Sequence, residues 1–210
     1  SEGLGIGKFV RDSHAGGLWP FLAYEVDHVQ WRGCALWDLI QPSFTFIVGV
    51  AMPFSLAARR ARGQSFGWLL LHAIVRSLIL ICLGIFLRSI DKRQTYFTFE
   101  DTLTQIGLGY TFAFLLAWTT PRWQAIAAAA ILVGYWLAFA LYPLPPAGFN
   151  YAKVGVSESW RAVHGLHGFA AHWDKNTNFA AAADVWFLNL FPRAKPFAYN
   201  GGGYLTLSFI

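Results

Sequence analysis

The sequence predicts an all-α protein, a polytopic bundle of transmembrane helices, and three observations carry that prediction. Hydrophobic residues make up 56% of the 210 residues and charged ones only 13%, against about a quarter charged in an ordinary soluble domain. Apolar runs recur at 39–57, 68–87, 103–118 and 124–142, each near the ~20 residues that a helix needs to cross ~30 Å of hydrocarbon. Aromatic residues gather near the ends of those runs, at Trp37, Trp68, Trp118, Trp123 and Tyr142, where amphipathic rings prefer the water–lipid boundary. Packing in a soluble core is the weaker alternative for these rings, because long continuous apolar runs speak for lipid.

Residues 1–37 are Gly-rich and mixed in charge, a lead on the water side of the membrane. The first span follows and closes at ARRARGQ, where Arg59, Arg60 and Arg62 have no acid nearby. Under the positive-inside tendency that turn is cytoplasmic, which places His28 and Asp38 on the extracytoplasmic side. The second span returns outward to RSIDKRQTYFTFED, where Asp91, Glu100 and Asp101 accompany the basic residues. A third, shorter span leads inward to TTPRW, and an Ala-rich fourth leads out to YPLPPAG. Residues 143–203 then form a long extracytoplasmic segment, and 204–210 begin a further helix. The chain starts at Ser1 without an initiator Met and stops within YLTLSFI, so 1–210 reads as a fragment of one membrane domain, with four transmembrane helices in 38–142.

The formal charge of +5 does not point to nucleic acid, because no basic run is interleaved with a stacking platform. Lipid headgroups or an anionic cosubstrate suit it better. Cys34 and Cys82 fall outside and inside the bilayer respectively, so no disulfide is expected between them.

Polar residues inside the spans are where function is to be sought. At helical spacing Asp38, Gln41, Thr45, Gly49 and Met52 share a face of the first span, which therefore looks toward other protein. Pro53 removes a donor beside Gly49 and kinks the helix, leaving room for a ligand or for a packed neighbour. Asp38 suits either a helix cap or a site. His72 and Arg76, four residues apart, share a face of the second span. Exposing Arg76 to lipid would cost about 2.5–3.5 kcal/mol, so it faces either an interhelical ion pair, with Asp38 as one partner, or a bound anion. In the third span Thr104, Gly107 and Thr111 form a small-residue face for close helix contact, with Gln105 as interhelical glue or a ligand contact.

In the outer segment HWDKNTNFAAAAD carries Trp173, Asn176, Asn178 and Asp184. An aromatic face with amides and a carboxylate fits a sugar; folding and capping of the segment itself would use the same residues. His164, His167 and His172 lack fitting acidic or Cys companions, so no metal is expected.

HVQWRG, followed by DLIQPSFTFIVGVAMPFSL and a basic turn, resembles the heparan-alpha-glucosaminide N-acetyltransferase family, in its bacterial transmembrane acyltransferase branch. The likeness continues through RSLILICLGIFL, TLTQIGLGYTFAFLL, HWDKNTNFAAAADVWFLNLFPR and GGGYLTLSFI, and so covers most of the chain in order. It implies a bacterial inner-membrane enzyme that takes acetyl-CoA from the cytoplasmic side and delivers acetyl to an amino sugar or glycan on the periplasmic side. By motif position His28 matches the family's essential histidine.

An amine attacking a thioester must lose a proton, and the tetrahedral intermediate needs its oxyanion stabilised. His28 suits proton transfer or formation of an acetyl-imidazole, with Asp38 to orient it or to position the amine. Trp31 is a candidate wall of the acyl site or an interfacial aromatic anchor, and Gln41 and Gln105 are candidate contacts to acetyl-CoA. His72 and Arg76 are candidates for its diphosphate or pantetheine. Two rival readings remain open: a transporter or channel with a polar path through Asp38, Arg76 and Gln105, and a non-catalytic membrane subunit. Self-association through the small-residue faces is also left open.

Overall fold

Every regular element among the described residues is a helix. The structure is a computed structural model that describes residues 5–14, 16–202 and 206; apart from Thr206, the further helix expected at 204–210 lies outside them. The chain divides into two units, 1–47 and 48–210, and each is taken by itself.

The first unit holds α1 (Ile6–Ser13), α2 (Trp19–Glu25), a turn of 3-10 helix (Leu36–Leu39) and the opening of α3 (Ile40–Ala61). Phe9 of α1 meets Trp19 of α2 edge to face at 5.2 Å. After α2 the chain folds back on itself. The Tyr24 hydroxyl donates to the Cys34 carbonyl at 3.4 Å, and the Glu25 carboxylate accepts from the Leu36 N–H at 2.9 Å. That return loop carries His28 and Trp31.

The second unit contains the rest of α3, then α4 (Phe66–Ser89), α5 (Thr102–Ala117), α6 (Pro121–Ala140), α7 (Glu158–His164) and α8 (Phe179–Leu188). The helix starts follow from local chemistry. Ser65 accepts from the Trp68 N–H to open α4, Asp101 accepts from Leu103 and Thr104 to open α5, and Pro121 takes the first turn of α6, where its missing N–H costs nothing.

Three helical stretches, Leu36–Ala61, Phe66–Ser89 and Pro121–Ala140, are long and apolar enough to cross a membrane. Their apolar windows are only 11%, 22% and 6% buried by protein, so in water they would leave most of that surface wet; lipid is the solvent that suits them. The helix expected as the third span, α5, is apolar but has 16 residues, a rise of only about 24 Å.

The tightest packing is between α4 and α5. A Cβ at Gly84 would come within 2.6 Å of Thr104, and one at Gly107 within 2.7 Å of Ile81 and 2.8 Å of the Ser77 carbonyl, so only glycine admits this approach. Across the same seam the Ser77 and Thr111 hydroxyls are 2.7 Å apart. The small-residue face predicted from Thr104, Gly107 and Thr111 is the face that α4 occupies. Gly49 differs: among the described residues nothing lies within 4 Å of its would-be Cβ, so that position is open.

Candidate functional site

Asp38 is the third residue of the 3-10 turn that leads into α3. Its Oδ2 accepts from the Ala35 N–H at 3.0 Å and from the Val29 N–H at 3.4 Å. Its Oδ1 lies 2.7 Å from Nδ1 of His28. One carboxylate thus ties the helix start together and also holds the imidazole. An ionised carboxylate can only accept, so Nδ1 is the donor in this contact.

The histidine is fixed further by its own N–H, which donates to Asp27 Oδ1 at 2.9 Å, and by Trp37, whose ring meets the imidazole edge to face at 6.5 Å. The side chains of His28 and Asp38 are 38% and 25% exposed, open enough for a reactant to approach. Trp31 sits half-buried in the same loop. Gln41 follows Asp38 by about one helical turn, and its side-chain N–H₂ is buried without a hydrogen-bond partner among the described residues. His28, Trp31, Asp38 and Gln41 therefore belong to one short stretch at the mouth of α3.

A second constellation lies in the other unit. Residues of α3, α4 and α5 line a cleft whose apolar part comprises Met52, Leu56, Leu69, Ala73 and Phe114, with Ser55, Arg59, His72, Arg76 and Tyr110 beside them. Arg76 donates from Nη1 to the Tyr110 hydroxyl at 3.4 Å, and its guanidinium lies 4.9 Å from that ring's centre. Among the described residues no carboxylate lines this cleft. Arg76 is thus held by a phenol and its ring, not by an acid. From the sequence Arg59 was read only as part of the basic turn and Tyr110 was not singled out, although a signal existed. Met52, Leu56 and Arg59 continue one helical stripe, as do Gly107, Tyr110 and Phe114.

Gln105 does not line that cleft. It is 4% exposed, and its side-chain nitrogen donates to the Phe99 carbonyl and to the Thr206 carbonyl at 2.9 Å. This amide ties the start of α5 to the loop before it and to a residue 101 positions away.

The outer residues come together, and their polar atoms go largely to the backbone. Asn178 caps α8 by accepting from the Ala181 N–H at 2.9 Å and donates to the Asp174 carbonyl at 3.0 Å. Asn176, in the left-handed region at φ 57°, donates to the carbonyls of Val154 and Asn200 at 2.8 and 3.0 Å. Buried Asp184 accepts from the Thr206 N–H at 2.7 Å. Trp173 stacks on Phe139 of α6 at 6.0 Å and 8° and meets Trp136 and Phe169 as well. Nearby, the ammonium of buried Lys175 lies over Trp160 at 4.9 Å, and burial lowers its pKa.

His172 donates from Nδ1 to the Tyr142 carbonyl at 2.8 Å. Among the described residues no group of three His, Cys, Asp or Glu side chains is arranged to hold a metal ion. Cys34 and Cys82 are free thiols. No family model matches the chain, and no curated protein matches it.

Proposed function

We propose that the chain belongs to a membrane acyltransferase that moves the acetyl group of acetyl-CoA to the amine of an amino sugar or glycan, on the periplasmic face of a bacterial inner membrane. The observation that carries this reading is the 2.7 Å contact of His28 Nδ1 with an Asp38 carboxylate whose other oxygen is pinned by two backbone N–H groups. A base or nucleophile needs a ring held in one orientation, and the Nδ1–Asp38 contact supports that requirement.

In the proposed reaction Nε2 accepts the proton of the attacking amine, or attacks the thioester carbon itself and passes the acetyl group on; CoA leaves as the thiol in either route. Asp38 stabilises the imidazolium in the first and the acylated ring's orientation in the second. The Gln41 side-chain N–H₂ is a donor available to the developing oxyanion. Arg59 and Arg76 offer cations, and His72 a hydrogen-bonding ring, to the diphosphate of CoA. The test is labelled acetyl transfer from acetyl-CoA to a panel of amino sugars by the complete protein. Transfer with stoichiometric thiol release is expected, and no thiol release with any acceptor overturns the reading.

The acid-free cationic cleft between three helices favours one rival, an anion transporter. Flux of an anion through proteoliposomes without thiol release would select it.

A further inference from the structure

Where α4 and α8 end, the chain forms a groove of another character. Its walls are residues 92–97, beginning three residues beyond the end of α4, and residues 192–199, shortly after α8. Phe97 stacks on Phe191 at 5.1 Å and 22°, which joins the two walls. Arg193 clasps them, donating from Nε to the Leu188 carbonyl at 2.8 Å and from Nη2 to the Phe97 carbonyl. Its guanidinium stays over the rings of Phe197 and Tyr96, at 5.4 and 5.8 Å.

Lys92, Arg93 and Lys195 also line this groove and are exposed, with the Lys92 ammonium 5.7 Å from the centre of the Tyr96 ring. Among the described residues no acidic side chain lines it. The nearby Glu100 carboxylate accepts from the Asn200 amide at 3.0 Å. Four cations therefore share an aromatic-walled groove that no acidic side chain lines among the described residues, with exposed Asp91 next to Lys92 in the chain.

We propose that this groove binds the headgroup of an anionic phospholipid. Two features select that occupant. The charge is complementary to a phosphodiester, and the groove adjoins the end of an apolar helix that exposes Phe86 and Leu87 in its last turn and Ile90 just after it. Such a helix end lies at the hydrocarbon boundary, the level at which lipid phosphates sit and at which Lys, Arg and Tyr gather. The inference does not depend on the acetyl-transfer reading.

The experiment measures retention of phosphatidylglycerol by the purified full-length protein in detergent, by native mass spectrometry, with phosphatidylcholine as the zwitterionic comparison. The wild type should retain phosphatidylglycerol preferentially. A Lys92→Gln/Arg93→Gln/Lys195→Gln variant should lose that preference by roughly five-fold per charge, about a hundred-fold in all. The three side chains are exposed, and unchanged circular dichroism and gel-filtration profiles would confirm that the variant folds. A measurement on the unaltered protein is independent of variant folding: raising the salt to about 0.5 M should erode the preference, and inorganic phosphate at millimolar concentration should not compete. Equal retention of both lipids by the wild type, or undiminished preference in the folded variant, overturns the proposal. Displacement by phosphate alone would show a site for a soluble phosphate and likewise overturn it.

Discussion

Two stretches of this chain look alike as sequence and differ in how they use their polar atoms. From His28 to Asp38, and again from Trp173 to Asp184, an aromatic residue, a carboxylate and other polar side chains fall within a dozen positions. In the first, carboxylate and imidazole meet each other at 2.7 Å, and the result is an oriented ring. In the second, Asn176, Asn178 and Asp184 meet main-chain groups, and the result is a folded segment. The lesson is about partners: a polar side chain spent on backbone groups builds structure, whereas one spent on a titratable side chain sets chemistry.

The comparison can be broken most severely at Asp38. Asp38→Asn should leave the protein folded but lower the turnover number for acetyl transfer roughly 100-fold or more, with little change in KM for acetyl-CoA. Unaltered turnover would mean that the carboxylate is a cap and nothing else. Arg76→Ala should weaken CoA binding roughly ten-fold, as loss of a charge-assisted hydrogen bond does, while acceptor KM holds steady. Unchanged CoA affinity, measured by calorimetry, would return Arg76 to its Tyr110 contact.

On the other side of the comparison, Asn178→Ala removes the α8 cap and should cost about 1–2 kcal/mol of stability, seen as a lower thermal midpoint with turnover preserved below it. A raised acceptor KM at unchanged stability would make the outer segment a sugar site after all. The smallest effect concerns Lys175. Burial lowers its pKa, so over the interval between that lowered value and the ordinary one near 10.5 the unfolded chain binds more protons and stability rises with pH. Lys175→Met should flatten that rise; a stability profile parallel to wild type across the alkaline range would contradict it.

Much of the helical scaffold was legible. Expected spans at 39–57 and 68–87 became helices at Ile40–Ala61 and Phe66–Ser89, because continuous apolarity bounded by caps and a basic turn is a local signal. The Thr104–Gly107–Thr111 face was legible for the same reason, since three- and four-residue spacing places those residues together whatever packs on them. What could not be read was long-range. Gln105 meets Thr206, and Arg193 meets Phe97, across 101 and 96 positions, and no periodicity announces such pairings. At the candidate site, the sequence singled out His28 through its motif, and the structure sets that ring beside Asp38. The sequence left Asp38 undecided between cap and imidazole partner because the choice depends on how the 28–37 loop closes, a matter of the Tyr24–Cys34 and Glu25–Leu36 hydrogen bonds.

The central claim, that the imidazole held by Asp38 is the reaction centre, is tested most directly by His28→Ala in the complete protein, assayed with labelled acetyl-CoA and an amino-sugar acceptor. Acetyl transfer should fall to background while helical content and membrane insertion match wild type. Transfer at the wild-type rate by that folded, inserted variant would contradict the account.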